Sequence, residues 1–426
     1  MMDEKPRVSR RKFLAASGSL SATALAGCSG DGGGSGSDGR TIRQGYLLPL
    51  TGDLGSLGTA MRDAGMMATA QVQDADIGIS VETQEEDTQT EVPAAIDGAN
   101  ALVNSNFPMM VGSATSNIEI GNRVFVPNGM LACSPSNTLP TLSTFDDDDL
   151  FFRTTPGDQY QGFAMAQAAG ERLDGIETVA TTYINDDYGQ LLSQWFTDHF
   201  EQGYGGTVQE QVVHDPVQSS YSSKLQTALS GDPDLLVVIT YPQSGVQMFN
   251  DYYAEFDTDR PIMLTDGAKD PTLPQKVGNS METVVGTMPA AAGPNYDSFT
   301  TAYEEEYGNS AIAFTAQTYD SSAITLLANA AAGENTGSAI SEQMANVANP
   351  GGTAVSIDNL AEGVEMAANG EEIHYEGAAS AVDFDDNGDL QSGSYEIWEF
   401  TDDSDAGINR LDVVDITQEQ ALNPGN

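Results

Sequence analysis

The chain has 426 residues, enough for two lobes with separate cores. Its 63 acidic and 16 basic side chains give a net charge of −47, which makes nucleic acid and anionic lipid surfaces poor partners. Hydrophobic residues make up 39 % and fall in regular runs, so the acids cover a folded surface rather than a disordered chain. Such a surface suits molar salt, where the Debye length is about 3 Å and self-repulsion is screened.

The first residues read as an export signal. Ser9-Arg-Arg-Lys-Phe-Leu14 carries a twin arginine followed by an apolar stretch too short and too polar for a membrane span. Leu25-Ala26-Gly27-Cys28 then has the form of a lipobox, and residues 28–40 are a flexible Gly/Ser/Asp tether. The expectation is a Tat signal over residues 1–27, cleavage before Cys28 and lipidation of Cys28. The mature chain would carry 11 bases and 61 acids, net −50. Gly34 to Gly39 fits G-x-G-x-x-G, but no strand precedes it, so a dinucleotide site is set aside. The second cysteine, Cys133, ends an apolar run and reads as a small buried hydrophobe rather than a disulfide partner.

From Thr41 onward, apolar strands alternate with helical patterns. The expected strands are Ile42–Leu48, Ile77–Glu82, Phe107–Val111, Met130–Cys133, Thr178–Ile184, Leu235–Thr240, Ile262–Thr265 and Thr283–Thr287. The expected helices are Thr59–Asp74, Val92–Asn104, Gln161–Leu173, Tyr188–Glu201, Ser223–Leu229, Gly245–Phe256 and Ala313–Ala332. This alternation predicts an α/β fold of parallel sheets.

In such sheets ligands bind beyond the carboxyl ends of the strands. In the earlier half those ends carry hydroxyls: Gly112-Ser-Ala-Thr-Ser116 and Ser134-Pro-Ser136-Asn-Thr138. They suit a carboxylate. In the later half they carry acids and tyrosines: Asn185-Asp-Asp-Tyr188-Gly189, Tyr241-Pro-Gln243 and Thr265-Asp266-Gly267. Those suit an ammonium group. Together they point to a zwitterion. Each residue also has a plainer reading. Ser116 and Thr138 could be helix caps, Asp266 a turn residue, and Tyr188 and Tyr241 packing residues.

Other motifs carry less. Asp383-Phe-Asp385-Asp-Asn387-Gly388 begins like a calcium loop, but Ser394 stands where the twelfth-position acid belongs, so a turn is expected there and no metal. His199, His214 and His374 are isolated, and no nucleophile elbow or phosphate loop is present. A secreted hydrolase is thereby disfavoured, and neither catalysis nor a cofactor is expected.

The stretch from Tyr46 to Trp398 resembles the type I solute-binding proteins of ABC transporters, in particular the branched-chain amino acid (Leu/Ile/Val) family, in a haloarchaeal lipoprotein form. The likeness rests on Pro49-Leu-Thr-Gly-Asp-Leu-Gly-Ser-Leu-Gly58, the two hydroxyl-rich strand ends, Phe152-Arg-Thr154, Asp187-Tyr-Gly189, Tyr319-Asp320 and Phe384 to Asp389, in that order. It implies two lobes joined by three hinge crossings that close on a ligand. Lobe I would span 41–155 and 290–375, and lobe II 156–289 and 376–420. By the same resemblance, Ser116, the Ser136 backbone and Thr138 would hold a ligand carboxylate. Tyr188 would line the cleft, Tyr241 would lie near the ammonium, and Asp266 would pair with it. Leu57 stands where the family often has an aromatic. The implied role is an extracellular, lipid-anchored receptor that captures an amino acid or relative for permease subunits of an importer. A clamp for amides or urea, and a sensory receptor, are the alternatives.

Overall fold

The computed structural model describes residues 39–256, 259–401 and 407–425. The twin arginine, the lipobox and Cys28 lie outside them.

Five strands form the first sheet: β1 (Arg40–Leu48), β2 (Ile79–Asp87), β3 (Met109–Gly112), β4 (Leu131–Ser134) and β5 (Phe151–Arg153). They are all parallel, in the order β2-β1-β3-β4-β5. β3 and β4 are buried along their whole length, as their unbroken apolar runs require. The second sheet continues with β6 (Thr178–Ile184), β7 (Thr207–His214), β8 (Leu235–Ile239), β9 (Ile262–Leu264) and β10 (Val284–Pro289). After a small parallel pair, β11 (Thr353–Val355) and β12 (Ile373–Tyr375), the chain adds β13 (Gly393–Phe400) and β14 (Ile408–Ile416). The second sheet runs β14-β13-β10-β9-β8-β6-β7, antiparallel only where β13 joins β10 and β14.

The chain thus passes between the sheets three times: after β5, after β10 and before β13. Helix Thr315–Ala332 returns to the first sheet and is the spine of its core, buried from Thr315 to Ala330. Several of its polar residues are satisfied internally, although Gln317 Oε1 is buried without a partner. Ser322 Oγ lies 2.7 Å from Tyr46 Oη, and Thr325 donates to Gln44 at 3.0 Å. Thr154, on the first passage, donates to the Gln317 carbonyl at 2.8 Å, which bolts that passage to the spine. Val382, Phe384 and Leu390 pack in the same core.

Several elements differ from the sequence expectation. β2 starts two residues late and runs to Asp87 instead of Glu82, because pairing with β1 extends to Leu48↔Asp87. Helix Gly55–Gln73 starts four residues before Thr59. The pattern over Gln161–Leu173 is a helix from Asp158 to Gln167 that widens to Arg172. β5, β7, β13 and β14, and the helices Tyr296–Tyr307, Gly337–Ala348 and Leu360–Ala368, have no counterpart among the expected elements. Cys133 is fully buried, and burial pushes its thiol up to about 12, so it packs and does not react. The calcium-like segment is a tight turn in which Asp385 Oδ1 accepts the amides of Asn387 and Asp389 at 2.8 and 3.0 Å.

Candidate functional site

One cleft of about 500 Å³ lies between the carboxyl ends of the two sheets. Ser116, Ser136, Thr138, Tyr188, Tyr241, Asp266 and Leu57 all line it. No Lys, Arg or His is among the described residues around it, whereas six acids are: Asp53, Glu91, Glu119, Asp186, Asp187 and Asp266.

The first wall follows β3 and β4. Ser116 takes the N-cap position of the short helix Asn117–Ile120 in a left-handed conformation, φ 64°, yet its hydroxyl makes no cap bond. The capping alternative therefore fails for Ser116. Thr138 precedes the N-cap of the next turn, Leu139, and uses its carbonyl to accept the Asp158 amide at 2.7 Å. Ser136 Oγ is buried without a hydrogen-bond partner, and its amide lies 3.4 Å from Ser134 Oγ. Behind this loop sits Arg153, only 1 % exposed. It donates to the Asn137 and Leu139 carbonyls at 3.3 and 2.9 Å and forms an ion pair with Asp389. A buried guanidinium with several acceptors fixes the loop's shape.

The second wall follows β6, β8 and β9. Tyr188 and Tyr241 stack with ring centroids 5.7 Å apart and planes 12° from parallel. Each phenol donates to a carboxylate: Tyr188 to Asp266 Oδ1 at 3.0 Å, Tyr241 to Asp186 Oδ2 at 2.7 Å. Asp186 also caps helix Asp187–Tyr204 by accepting the Gly189 amide at 2.8 Å. Burial and the adjacent carboxylates hold both phenols well above their ordinary values, so they remain donors. Asp266 is 3 % exposed, and burial pushes its carboxyl up to about 6 against the pull of Gln161 and Tyr188. A carboxylate held this way gains from a cation beside it. Leu57 closes the floor with Leu54, Met61 and Phe314.

Three acids, two buried and one half-buried, are not evident from the sequence pattern. Asp158 is fully buried, with neither carboxylate oxygen in a hydrogen bond, and burial and the charge of Asp266 push its carboxyl well above the usual range. It comes after the first passage rather than after a strand, so the strand-end rule does not reach it. Asp186 does lie at a strand end, but there the residues show only an acidic loop. Asp53 lies in the opening loop, and its partner comes from the other lobe.

The comparisons bear on this arrangement. The family described as periplasmic binding protein matches residues 41–364. The chain belongs to that family. This binding protein is 24 % identical over 356 residues to the chemotactic signal transduction system substrate-binding protein BasB of Halobacterium salinarum, covering 81 % of this chain and 84 % of the relative. The leucine-binding protein LivK of Thermotoga maritima matches with a TM-score of 0.73 and 22 % identity, over 88 % of this chain and 98 % of that one. A solute-binding protein from Rhodopseudomonas palustris in complex with 3,4-dihydroxybenzoic acid matches with a TM-score of 0.71 and 16 % identity, over 89 % and 98 %. The binding protein thus has the type I fold of two parallel-sheet lobes, and a shared fold leaves the ligand open.

Proposed function

We propose that this binding protein captures an amino acid or a close zwitterionic relative, without catalysis, and delivers it to the permease of an ABC importer. One observation carries the reading: the two walls of one cleft have opposite chemistry. The partnerless hydroxyl of Ser136 and that of Ser116, held only by a long 3.5 Å contact to Thr115 Oγ1, suit a carboxylate together with Thr138, and Asp266 with the tyrosine pair suits an ammonium. A ligand with both groups bridges the lobes and so favours closure. Asp158 behind Asp266 is held toward its neutral form, so Asp266 carries the charge on that side. An aromatic monocarboxylate has no group to offer the acids, and a neutral amide leaves them uncompensated.

The lobes are read as 41–155 with 290 onward and 156–289 with the C-terminal strands. Packing of Val382, Phe384 and Leu390 in the first core supports drawing the last boundary near 391 rather than 376. The lipobox supports an extracellular position, with the mature chain anchored through Cys28. A mass of the native N-terminus equal to unprocessed Met1 would refute that. The −47 charge supports adaptation to salt: the melting temperature should fall as KCl is diluted from molar to millimolar, and a flat profile would contradict it.

The deciding experiment is a thermal-shift panel in molar KCl with L-leucine, L-isoleucine, L-lysine, acetamide, urea and benzoate. A ligand at 100 times its Kd adds about 2.7 kcal/mol of stability. Shifts with amino acids alone are expected. Shifts with amides or benzoate alone would overturn the proposal. Similarity to a chemotactic binding protein favours a second reading, in which the same clamp reports to a signal transducer. Deleting the gene separates them: a transport role abolishes uptake of the ligand, a sensory role abolishes attraction to it.

A further inference from the structure

Helix Pro242–Glu255 belongs to the second wall, and its first turn is completed by the opposite lobe. Amides in the first turn of a helix lack carbonyl partners within it. Pro242, at the first position, has no N–H, and the Gly245 amide is bonded to the Tyr241 carbonyl at 2.8 Å. Gln243 and Ser244 remain. The helix's own N-cap residue, Tyr241, makes no side-chain cap, because its phenol is committed to Asp186. Asp53 takes the place of that cap. Its Oδ1 accepts the Ser244 amide at 2.9 Å, and the carboxylate also takes the Gln243 amide and the Ser244 hydroxyl. Asp53 is 5 % exposed, and a carboxylate at a helix N-terminus is favoured by the helix dipole.

Both ends of this contact are anchored to their own lobes. Next to Asp53, Gly52 has φ 83° and lies so close to the Gln89 carbonyl oxygen that an added Cβ would sit 2.1 Å from it. Leu54 donates to Thr90 Oγ1 at 3.1 Å. On the other lobe, Ser244 Oγ accepts the Val217 amide at 2.9 Å. Val217 stands at the cleft mouth with φ 48°, a conformation β-branched residues seldom adopt.

We propose that Asp53 is a latch: closure completes the cap of helix Pro242–Glu255, opening removes it, and the contact therefore sets how far the ligand-free protein is closed. The same contact ties the Val217 loop over the mouth to the closed state. The latch needs no assumption about which ligand enters, because every group in it belongs to the chain. A ligand then supplies only the remainder of the closing free energy.

The test reads lobe separation without ligand. Fluorophores are placed at Asn100→Cys and Gln226→Cys in the full chain carrying Cys28→Ser, in molar KCl, and energy transfer is recorded for single molecules. Asp53→Ala should lower the closed-to-open ratio by about fivefold, the ordinary worth of one helix cap. Ser244→Ala, which keeps both amides, should lower it less, and the two changes combined should act non-additively. If Asp53→Ala does not fold, Asp53→Gly, which likewise offers no acceptor to the two amides, with Ser244→Ala carries the same comparison. Unchanged energy transfer in folded Asp53 variants, or strict additivity with Ser244→Ala, would overturn the latch. A panel in which no amino acid binds would leave this ligand-free readout intact and count only against the proposed function.

Discussion

The two walls of the cleft are built at equivalent places in two similar sheets, yet they differ in how their polar groups are used. On the first wall, the Ser136 hydroxyl meets no partner and that of Ser116 caps no helix and makes only a 3.5 Å contact to Thr115 Oγ1, and the loop behind them is rigidified by buried Arg153. On the second wall, the phenols and the Asp266 and Asp186 carboxylates already bond one another. Neutral groups, the Asp158 carboxyl among them, can wait unpaired at lower cost, whereas a buried carboxylate that stays charged needs hydrogen bonds even before a cation arrives. The charged wall is therefore preorganised, and the hydroxyl wall is the adaptable one.

That contrast can be broken by substitution, beginning with the charged side. Asp266→Ala should weaken binding of an ammonium-bearing ligand by about 2–5 kcal/mol, the cost of truncating one partner of a buried charge pair. Calorimetry with whichever amino acid gives the largest thermal shift measures it, and unchanged affinity would remove Asp266 from the site. Ser116→Ala should cost about 1.5–3 kcal/mol through one hydrogen bond to a charged carboxylate. It should leave the pH profile of binding unaltered.

The pH profile itself separates the walls. Asp266 titrates near 6 in the ligand-free protein, above the ordinary carboxyl value of 3.8. Affinity for an ammonium should be level at neutral pH and fall by up to about tenfold per unit below pH 6, as Asp266 takes up a proton. Its contribution to ligand-free stability runs the other way. Between pH 6 and 4 the folded form holds the proton more tightly than the unfolded form, so this group's contribution grows as pH falls to about 4, is lost as pH rises to 6, and is absent above that. Affinity and stability moving in the same direction across that window would contradict the assignment. The smallest effect is expected of Tyr188→Phe. It removes one donor to Asp266, should move the midpoint of the binding profile to higher pH, and should change neutral-pH affinity only a few-fold.

The parallel sheets and six of the seven candidate cleft residues arise from features a single chain displays, while Leu57 entered only through the family resemblance. Strands such as Leu235–Ile239 are wholly apolar, and the residues just beyond their carboxyl ends change character abruptly. β7 was not legible because it is an edge strand reading TVQEQVVH, polar and largely exposed, with its pairing to β6 as its support. β13 and β14 form an antiparallel addition to a sheet that otherwise alternates with helices. Asp53 and Asp158 were missed for a different reason. Their surroundings are assembled from segments nearly 200 residues apart, as in Asp53–Ser244, or from a passage between lobes, and neither leaves a local pattern.

Arg153 has a consequence beyond the loop it supports. It ends β5, where the first passage begins, and its ion-pair partner Asp389 precedes the strand after the third passage. Two of the three connecting ribbons are thus riveted together at one root. Neither can swing independently of the other, so the lobes turn about a common pivot, and the twisting and sliding that three loose ribbons would permit is reduced to the opening and shutting of a jaw.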